Sequence, residues 1–188
     1  AELCKPDKIE ICDGSDEEKE SLTQEAVNKK EVFRLNEDVL PGCLYHRTAL
    51  NDVARTEELT FICTQLKEDA GPTNNWMSPE EGYNKSFDIL RNAMRGRTMY
   101  VVPFSMGPVG SPFSKIGVEI TDSIYVVLNL RIMVRIGKEV LNQLGFGEFT
   151  KCIHSKADLD IKKRLILHFP EDNAIISVGS GYGGNVLL

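Results

Sequence analysis

Ala174-Ile175-Ile176-Ser177-Val178-Gly179-Ser180-Gly181-Tyr182-Gly183-Gly184-Asn185 is an apolar run that drives into a turn holding four glycines. Glycine at that density admits positive φ and lets a ligand sit against bare amides. A strand feeding such a turn is a common way to aim N–H groups at an anion. The run therefore predicts a sheet strand ending at a candidate binding turn. Gly179-x-Gly181-x-x-Gly184 also matches the dinucleotide pattern G-x-G-x-x-G. That motif requires a following helix and an acidic residue about 20 positions on, and only Val186-Leu187-Leu188 follow Asn185.

Immediately upstream, Arg164–Phe169 and Ala174–Val178 read as two strands joined by the turn Pro170-Glu171-Asp172-Asn173. Lys156–Lys163 reads as a polar turn and Glu148–His154 as a strand. Lys138–Leu144 is a short helix stopped by Gly145. Ser123 caps a helix from Tyr125 to Ile136 that is apolar all round, hence buried. Arg131 and Arg135 are spaced to share a face of it. Ser114–Thr121 and Met99–Phe104 are strands, linked by the Gly/Pro/Ser loop Ser105–Pro112. Arg95 and Arg97 beside them line either an anion site or a structural crossover.

The first half reads in the same way. Ser78-Pro79-Glu80-Glu81 is a strong helix start, and the helix runs to about Met94 with Tyr83, Phe87, Leu90 and Met94 on its core face. Lys67–Met77 is polar and turn-rich; Leu59–Thr64 is a buried strand. Asn36–Asn51 reads as loop around Pro41-Gly42, and Glu31–Leu35 as a strand. Ser15 and Glu18 form a capping box for a helix over Asp16–Lys30, with Leu22, Ala26 and Val27 on one side. Lys8–Cys12 is a short strand. The sum is a mixed α/β layout, with mostly antiparallel pairs expected late in the chain. The strand before the glycine turn is expected to lack sheet neighbours and so to present a sticky edge or a dimer contact.

Composition narrows the function. The 188 residues are 41% hydrophobic and 27% charged, as in an ordinary globular protein. A net charge of -6 argues against a nucleic-acid partner, while local basic groups still admit a small anion. No apolar run approaches the ~20 residues that cross a bilayer, and Ala1–Pro6 has no apolar signal core. Cys4, Cys12, Cys43, Cys63 and Cys152 are odd in number, widely spaced and without a C-x-x-C pair. They read as free thiols in a reducing cytoplasmic setting rather than as disulfides or a zinc site. No local signature marks a serine or cysteine nucleophile, a zinc protease, a phosphate-binding lysine loop or an EF-hand. Arg55, at the entrance to Leu59–Thr64, serves either as a surface ion-pair partner or as a guanidinium gripping a carboxylate or phosphate by two parallel hydrogen bonds.

Arg95-Gly96-Arg97-Thr98-Met99-Tyr100-Val101-Val102-Pro103-Phe104-Ser105-Met106-Gly107-Pro108 closely resembles the GTP-dependent phosphoenolpyruvate carboxykinases. So do Asp52-Val53-Ala54-Arg55, Ala70–Met77, Ser111-Pro112, Thr121-Asp122-Ser123, Gly147-Glu148-Phe149 and Gly179–Asn185. The resemblance covers nearly the whole chain in order. It implies the N-terminal, substrate-side domain of that fold over 1–188. The family converts oxaloacetate and GTP to phosphoenolpyruvate, GDP and carbon dioxide, a decarboxylating lyase step of gluconeogenesis and anaplerosis, with manganese and magnesium.

By resemblance Arg55 holds the substrate carboxylate, Tyr182 stands beside the substrate and carbon dioxide, and Gly183 and Gly184 bring backbone to the substrate. The family's metal ligands and nucleotide site lie beyond the Gly-Tyr-Gly-Gly turn. The resemblance therefore implies no catalytic residue and no metal ligand in this chain, makes it a truncated part inactive alone, and bars His154 and His168 from the role of metal histidine. Two departures stand out: Ile124 replaces the proline usual after the capping serine, and Ser155–Arg164 is shorter than in typical members, without a Pro-Cys-Asn stretch. The alternative is a non-catalytic binding or regulatory module that kept the fold. Either way, Arg55 and Tyr182 are expected to meet in space.

Overall fold

Serine caps start three of the four α-helices among the described residues. Ser15 Oγ accepts from the Glu18 amide at 3.1 Å at the head of α1 (Asp16–Asn28), and the Glu18 carboxylate reaches back to the Asp13 and Gly14 amides at 2.8 and 3.0 Å. Two otherwise orphaned donors are satisfied in this way. Ser78 Oγ accepts from the Glu81 amide at 3.2 Å at α2 (Pro79–Leu90), where Pro79 occupies the first turn. Ser123 caps α3 (Ile124–Met133) through the Val126 amide, and Ile124 takes the helical conformation without the proline. α4 (Lys138–Leu144) sits between Gly137 and Gly145.

The structure is a computed structural model that describes residues 1–49, 52, 56–182 and 185–187. Its strands are β1 (Lys8–Ile11), β2 (Val32–Arg34), β3 (Leu44–Arg47), β4 (Thr60–Cys63), β5 (Asn75–Met77) and β6 (Thr98–Met106) in the first half. β7 (Lys115–Thr121), β8 (Arg135–Ile136), β9 (Thr150–Ser155), β10 (Leu165–Phe169), β11 (Ala174–Val178) and β12 (Asn185–Leu187) follow. The main sheet runs β1-β6-β7-β9-β11-β10-β4-β5, with β8 on β6; a small sheet runs β12-β3-β2. Along the main path only β6–β7 and β10–β11 are antiparallel. The chain is thus an α/β protein with a mostly parallel sheet.

Helices cover both faces. Consecutive strand residues point to opposite sides, and Met99 joins a core with Leu90, Met94, Leu167, Phe169 and Ile176, while Tyr100 joins one with Leu22, Ala26, Ile124 and Val127. The first core packs under α2 and the second under α1 and α3. Each fully buried Leu, Ile or Phe contributes about 1.5–3 kcal/mol. Gly82 lets α2 approach closely: a Cβ there would sit 2.9 Å from Cys63 Sγ and 3.1 Å from the Phe169 ring. Gly82→Ala is expected to cost about 1–3 kcal/mol by overpacking, read as a lowered urea midpoint, although alanine is the better helix former.

Several expectations are corrected. β11 does not lack neighbours: β9 and β10 flank it, so it is no sticky edge. Late in the main path β7–β9–β11 and β10–β4 pair in parallel and β10–β11 is antiparallel, while β8 on β6 and β12 on β3 are antiparallel, so antiparallel pairs are not the majority expected. Part of the expected loop Asn36–Asn51 is β3, which draws its hydrogen bonds from β2 and β12. β5 likewise forms within the turn-rich stretch by pairing with β4. α2 ends at Leu90, since Asn92 takes φ +60°, yet Met94 is still buried. Phe87 is 39% exposed, outside the core face. α3 ends at Met133, because Arg135–Ile136 peels off to pair with β6. That exposes Ile132 and Met133 and takes Arg135 off the helix. All five cysteines are free, as expected. No helix among the described residues is long and apolar enough to cross a membrane.

Candidate functional site

β7, β9 and β11 run parallel and adjacent, so their carboxyl ends, Thr121, Ser155 and Val178, lie along one edge of the sheet. Ligands of open α/β sheets bind at that edge. The glycine turn leaves β11 there. Gly179 has φ +80°, its amide donates to Ser155 O at 3.0 Å, and a Cβ would lie 2.7 Å from the Arg164 backbone. Only glycine satisfies both the dihedral and the approach.

Asp52 fastens the turn. Its carboxylate, in a residue only 1% exposed, accepts from Ser180 Oγ at 2.6 Å and from the Gly181 amide at 3.0 Å (Oδ1) and 3.1 Å (Oδ2). The Arg164 guanidinium, also buried, stands 3.5 Å away. Paired and hydrogen-bonded in this way, a buried carboxylate is tolerated. Ser180 Oγ in turn accepts from the Tyr182 amide at 3.0 Å. The segment that leads to Arg55 and the turn that carries Tyr182 are thus joined through one side chain.

Tyr182 is held by two further contacts and an unusual backbone conformation. Its hydroxyl donates to Ser177 Oγ on β11. Its ring stacks on His154 with centroids 4.7 Å apart. Its backbone has φ +58°, a region uncommon for a non-glycine residue. Burial pushes its phenol up to about 12, so it stays a neutral donor at physiological pH. His154 is itself wholly enclosed, and burial lowers its pKa. Ser180 O, 2.7 Å from Nε2, can only accept, so Nε2 carries the proton. Nδ1, 2.7 Å from Thr121 Oγ1, therefore accepts from that hydroxyl. Thr121 Oγ1 also accepts from the Ser123 amide, linking the turn to the head of α3.

A second buried carboxylate, Asp122, braces the outside. It accepts from Arg97 Nη1 at 2.8 Å, Ser155 Oγ at 3.0 Å and the Lys156 amide at 2.9 Å. Arg97 also pairs with Asp158, so of the two open readings for Arg97 the structural crossover holds. Arg131 is likewise occupied, by Asp16 and Glu18 at the head of α1.

Of the four expected substrate-binding residues, Tyr182 stands at this edge. Arg55, Gly183 and Gly184 lie outside the described residues. Sequence reading missed Asp52, His154, Thr121 and Ser180 as the supports of the turn. One signal for Asp52 was present, an acid three positions before a candidate anion-binding arginine; His154 was weighed only as a metal ligand. Among the described residues no three His, Cys, Asp or Glu side chains group as a metal site. The amides of Gly179, Gly181 and Tyr182 are engaged by Ser155 O, Asp52 and Ser180 Oγ, so among the described residues of the turn the group left to face a small ligand is the half-buried Tyr182.

Residues 1–188 match the family model described as the phosphoenolpyruvate carboxykinase N-terminal domain. The chain is 57% identical over 189 residues to a protein of Anaeromyxobacter dehalogenans (strain 2CP-C) named phosphoenolpyruvate carboxykinase [GTP], covering all of this chain and 32% of that protein. It is 49% identical over 201 residues to a protein of the same name from Neocallimastix frontalis, covering all of this chain and 33% of the relative. The corresponding figures for Corynebacterium kroppenstedtii are 47% over 199 residues, all of this chain and 32%. The chain thus spans about a third of the length of the curated relatives it matches.

Proposed function

The chain belongs to the phosphoenolpyruvate carboxykinase N-terminal domain family, and we propose on that premise that residues 1–188 form the substrate-side domain of a GTP-dependent enzyme converting oxaloacetate to phosphoenolpyruvate and carbon dioxide. The observation that carries this reading is the Asp52 clasp. It fixes Ser180 and Gly181 to the strand of sequence that reaches Arg55 three residues later.

In this reading Arg55 grips the substrate carboxylate with two parallel hydrogen bonds. The amides of Gly183 and Gly184 meet the oxygen on which enolate charge develops, where preorganised dipoles act most strongly. Tyr182, locked by His154 and Ser177, offers a neutral ring and excludes water beside the departing carbon dioxide. Asp52, Ser180 and His154 position these groups and do not touch substrate. GTP, manganese and magnesium belong, by the same reading, to the part of the relatives outside these 188 residues. Phosphoryl transfer depends on those groups, so residues 1–188 alone are proposed to bind substrate without turning it over. Five free thiols suit a cytoplasmic setting.

Calorimetry with oxalate and with phosphoenolpyruvate tests the proposal. The chain is expected to bind both weakly, and Arg55→Ala to weaken each about 10- to 100-fold, the scale of losing hydrogen bonds to a charged group. Equal heats from the two proteins would remove Arg55 from the site.

A further inference from the structure

Just past the carboxyl end of β9 the backbone turns against its own preference. Ala157, Asp158 and Leu159 take φ of +41°, +62° and +57° in succession. Left-handed backbone is routine for glycine and tolerated by aspartate, and it occurs as single residues, because Cβ crowds the following carbonyl. Three in a row, one of them a leucine, is a strained arrangement. Such a shape persists only where its surroundings over-determine it.

The surroundings are specific. At the start, the Lys156 amide donates to Asp122 at 2.9 Å and the Ala157 amide to Ser155 Oγ at 3.2 Å. At the far end, the Asp160 carboxylate accepts from the Lys162 amide at 2.9 Å. The middle is held by one ion pair, Asp158 with Arg97. The Asp158 side chain is 72% exposed, whereas Asp122, on the other branch of the same guanidinium, is fully buried. One branch of Arg97 is thus sealed in the fold and the other is open to water and ions.

The strained segment presses on the glycine turn. A Cβ on Gly181 would lie 3.3 Å from Leu159 Cδ2, so the leucine packs directly against the residue whose amide Asp52 holds. The next amide, that of Tyr182, is tied to Ser180 Oγ within the same turn.

We propose that residues 156–160 form a strained strap that props the glycine turn through Leu159 and is latched by the Arg97–Asp158 pair. With the latch cut, the backbone relaxes out of the left-handed region, Leu159 leaves Gly181, and the segment from Ser180 to Tyr182 opens more often. An exposed pair is weak and screened by salt, so the strap is poised rather than locked. As a control on ligand binding it rests on the substrate reading above; as a conformational device it does not.

Amide hydrogen exchange of the 188-residue chain tests the strap without any ligand. Asp158→Asn keeps a residue that tolerates left-handed backbone and removes the charge. It is expected to speed exchange of the Gly181 and Tyr182 amides about fivefold, the scale of one exposed charge pair, and to leave the Glu81 amide at the head of α2 unchanged. Added potassium chloride is expected to speed the same two amides in the parent chain and not in Asp158→Asn. Leu159→Ala trims the prop and leaves the latch. Its effect on Gly181 is expected to match that of Asp158→Asn, and the double variant to be no faster than either alone, because both changes act through one contact. Additive effects, or exchange that Asp158→Asn leaves unchanged, would overturn the proposal. Oxalate titration of Asp158→Asn separates the two readings. A loosened turn with unaltered affinity keeps the strap and counts against the substrate site, whereas unaltered exchange ends the strap whatever oxalate does.

Discussion

Asp52→Ala is expected to lower the free energy of unfolding by about 3–5 kcal/mol, the cost of removing one partner from a buried, hydrogen-bonded charge pair. The substitution withdraws the acceptor from Ser180 Oγ and the Gly181 amide and takes a carboxylate from the buried Arg164 guanidinium. The damage passes along the chain, because Ser180 Oγ is the acceptor for the Tyr182 amide and Ser180 O the acceptor for His154. Asp52→Asn keeps an oxygen for the turn but no charge for Arg164, so an intermediate loss is expected. Urea denaturation reads both. Oxalate binding is expected to vanish with Asp52→Ala even below the unfolding midpoint. A loss under about 1 kcal/mol would mean that the turn is held by something else, since surface substitutions fall within that range.

Glu119→Gln is expected to act in the opposite direction and to depend on pH. Glu119 sits on β7, paired in register with Val102 and Cys152. The residue as a whole keeps some exposure, but Oε1 is sealed from solvent and, among the described residues, without a partner. Burial pushes its carboxyl up to about 8 from the ordinary 4.5. Between those two values the folded protein retains a proton that the unfolded chain has released. Stability therefore falls as pH rises through that window, by about 1.4 kcal/mol per pH unit. The contribution is complete below the unfolded value and gone once the pH passes the folded one. A neutral amide of the same shape feels none of this. Glu119→Gln is thus expected to match the parent chain near pH 4.5 and to exceed it by about 3 kcal/mol at pH 7. Urea midpoints from pH 5 to 8 give the comparison; parallel curves for the two proteins would show that Glu119 ionises freely in the fold.

A group kept in so costly a position bears on the site. Cys152 opposite it is pushed up to about 12, by burial first and then by the Glu119 charge, and Tyr182 also feels that charge. The strand face that supports Tyr182 is accordingly held neutral at physiological pH: His154 without a charge, Cys152 as a thiol, Glu119 as an acid. A neutral lining suits a turn whose backbone dipoles are to act on an anion, because low local polarity strengthens each of them.

Family membership, the three serine-capped helices, the β10–β11 hairpin and the glycine turn were all legible in the residues themselves. Each depends on groups close in sequence: Ser78 on the amide of Glu81, Gly145 on the end of its own helix, Pro170–Asn173 on the reversal between two strands. Local hydrogen bonds and local steric limits write such features into a short window. What only the tertiary structure decided is which strands meet and what each end then touches. Leu44–Arg47 becomes a strand because β2 and β12 supply partners, and β11 lies inside the sheet because β9 runs beside it in parallel. Asp52 reaches Gly181 across 129 positions, a contact that no local window contains. Its energy comes from desolvation and pairing inside a packed edge, and both exist only once the sheet has formed.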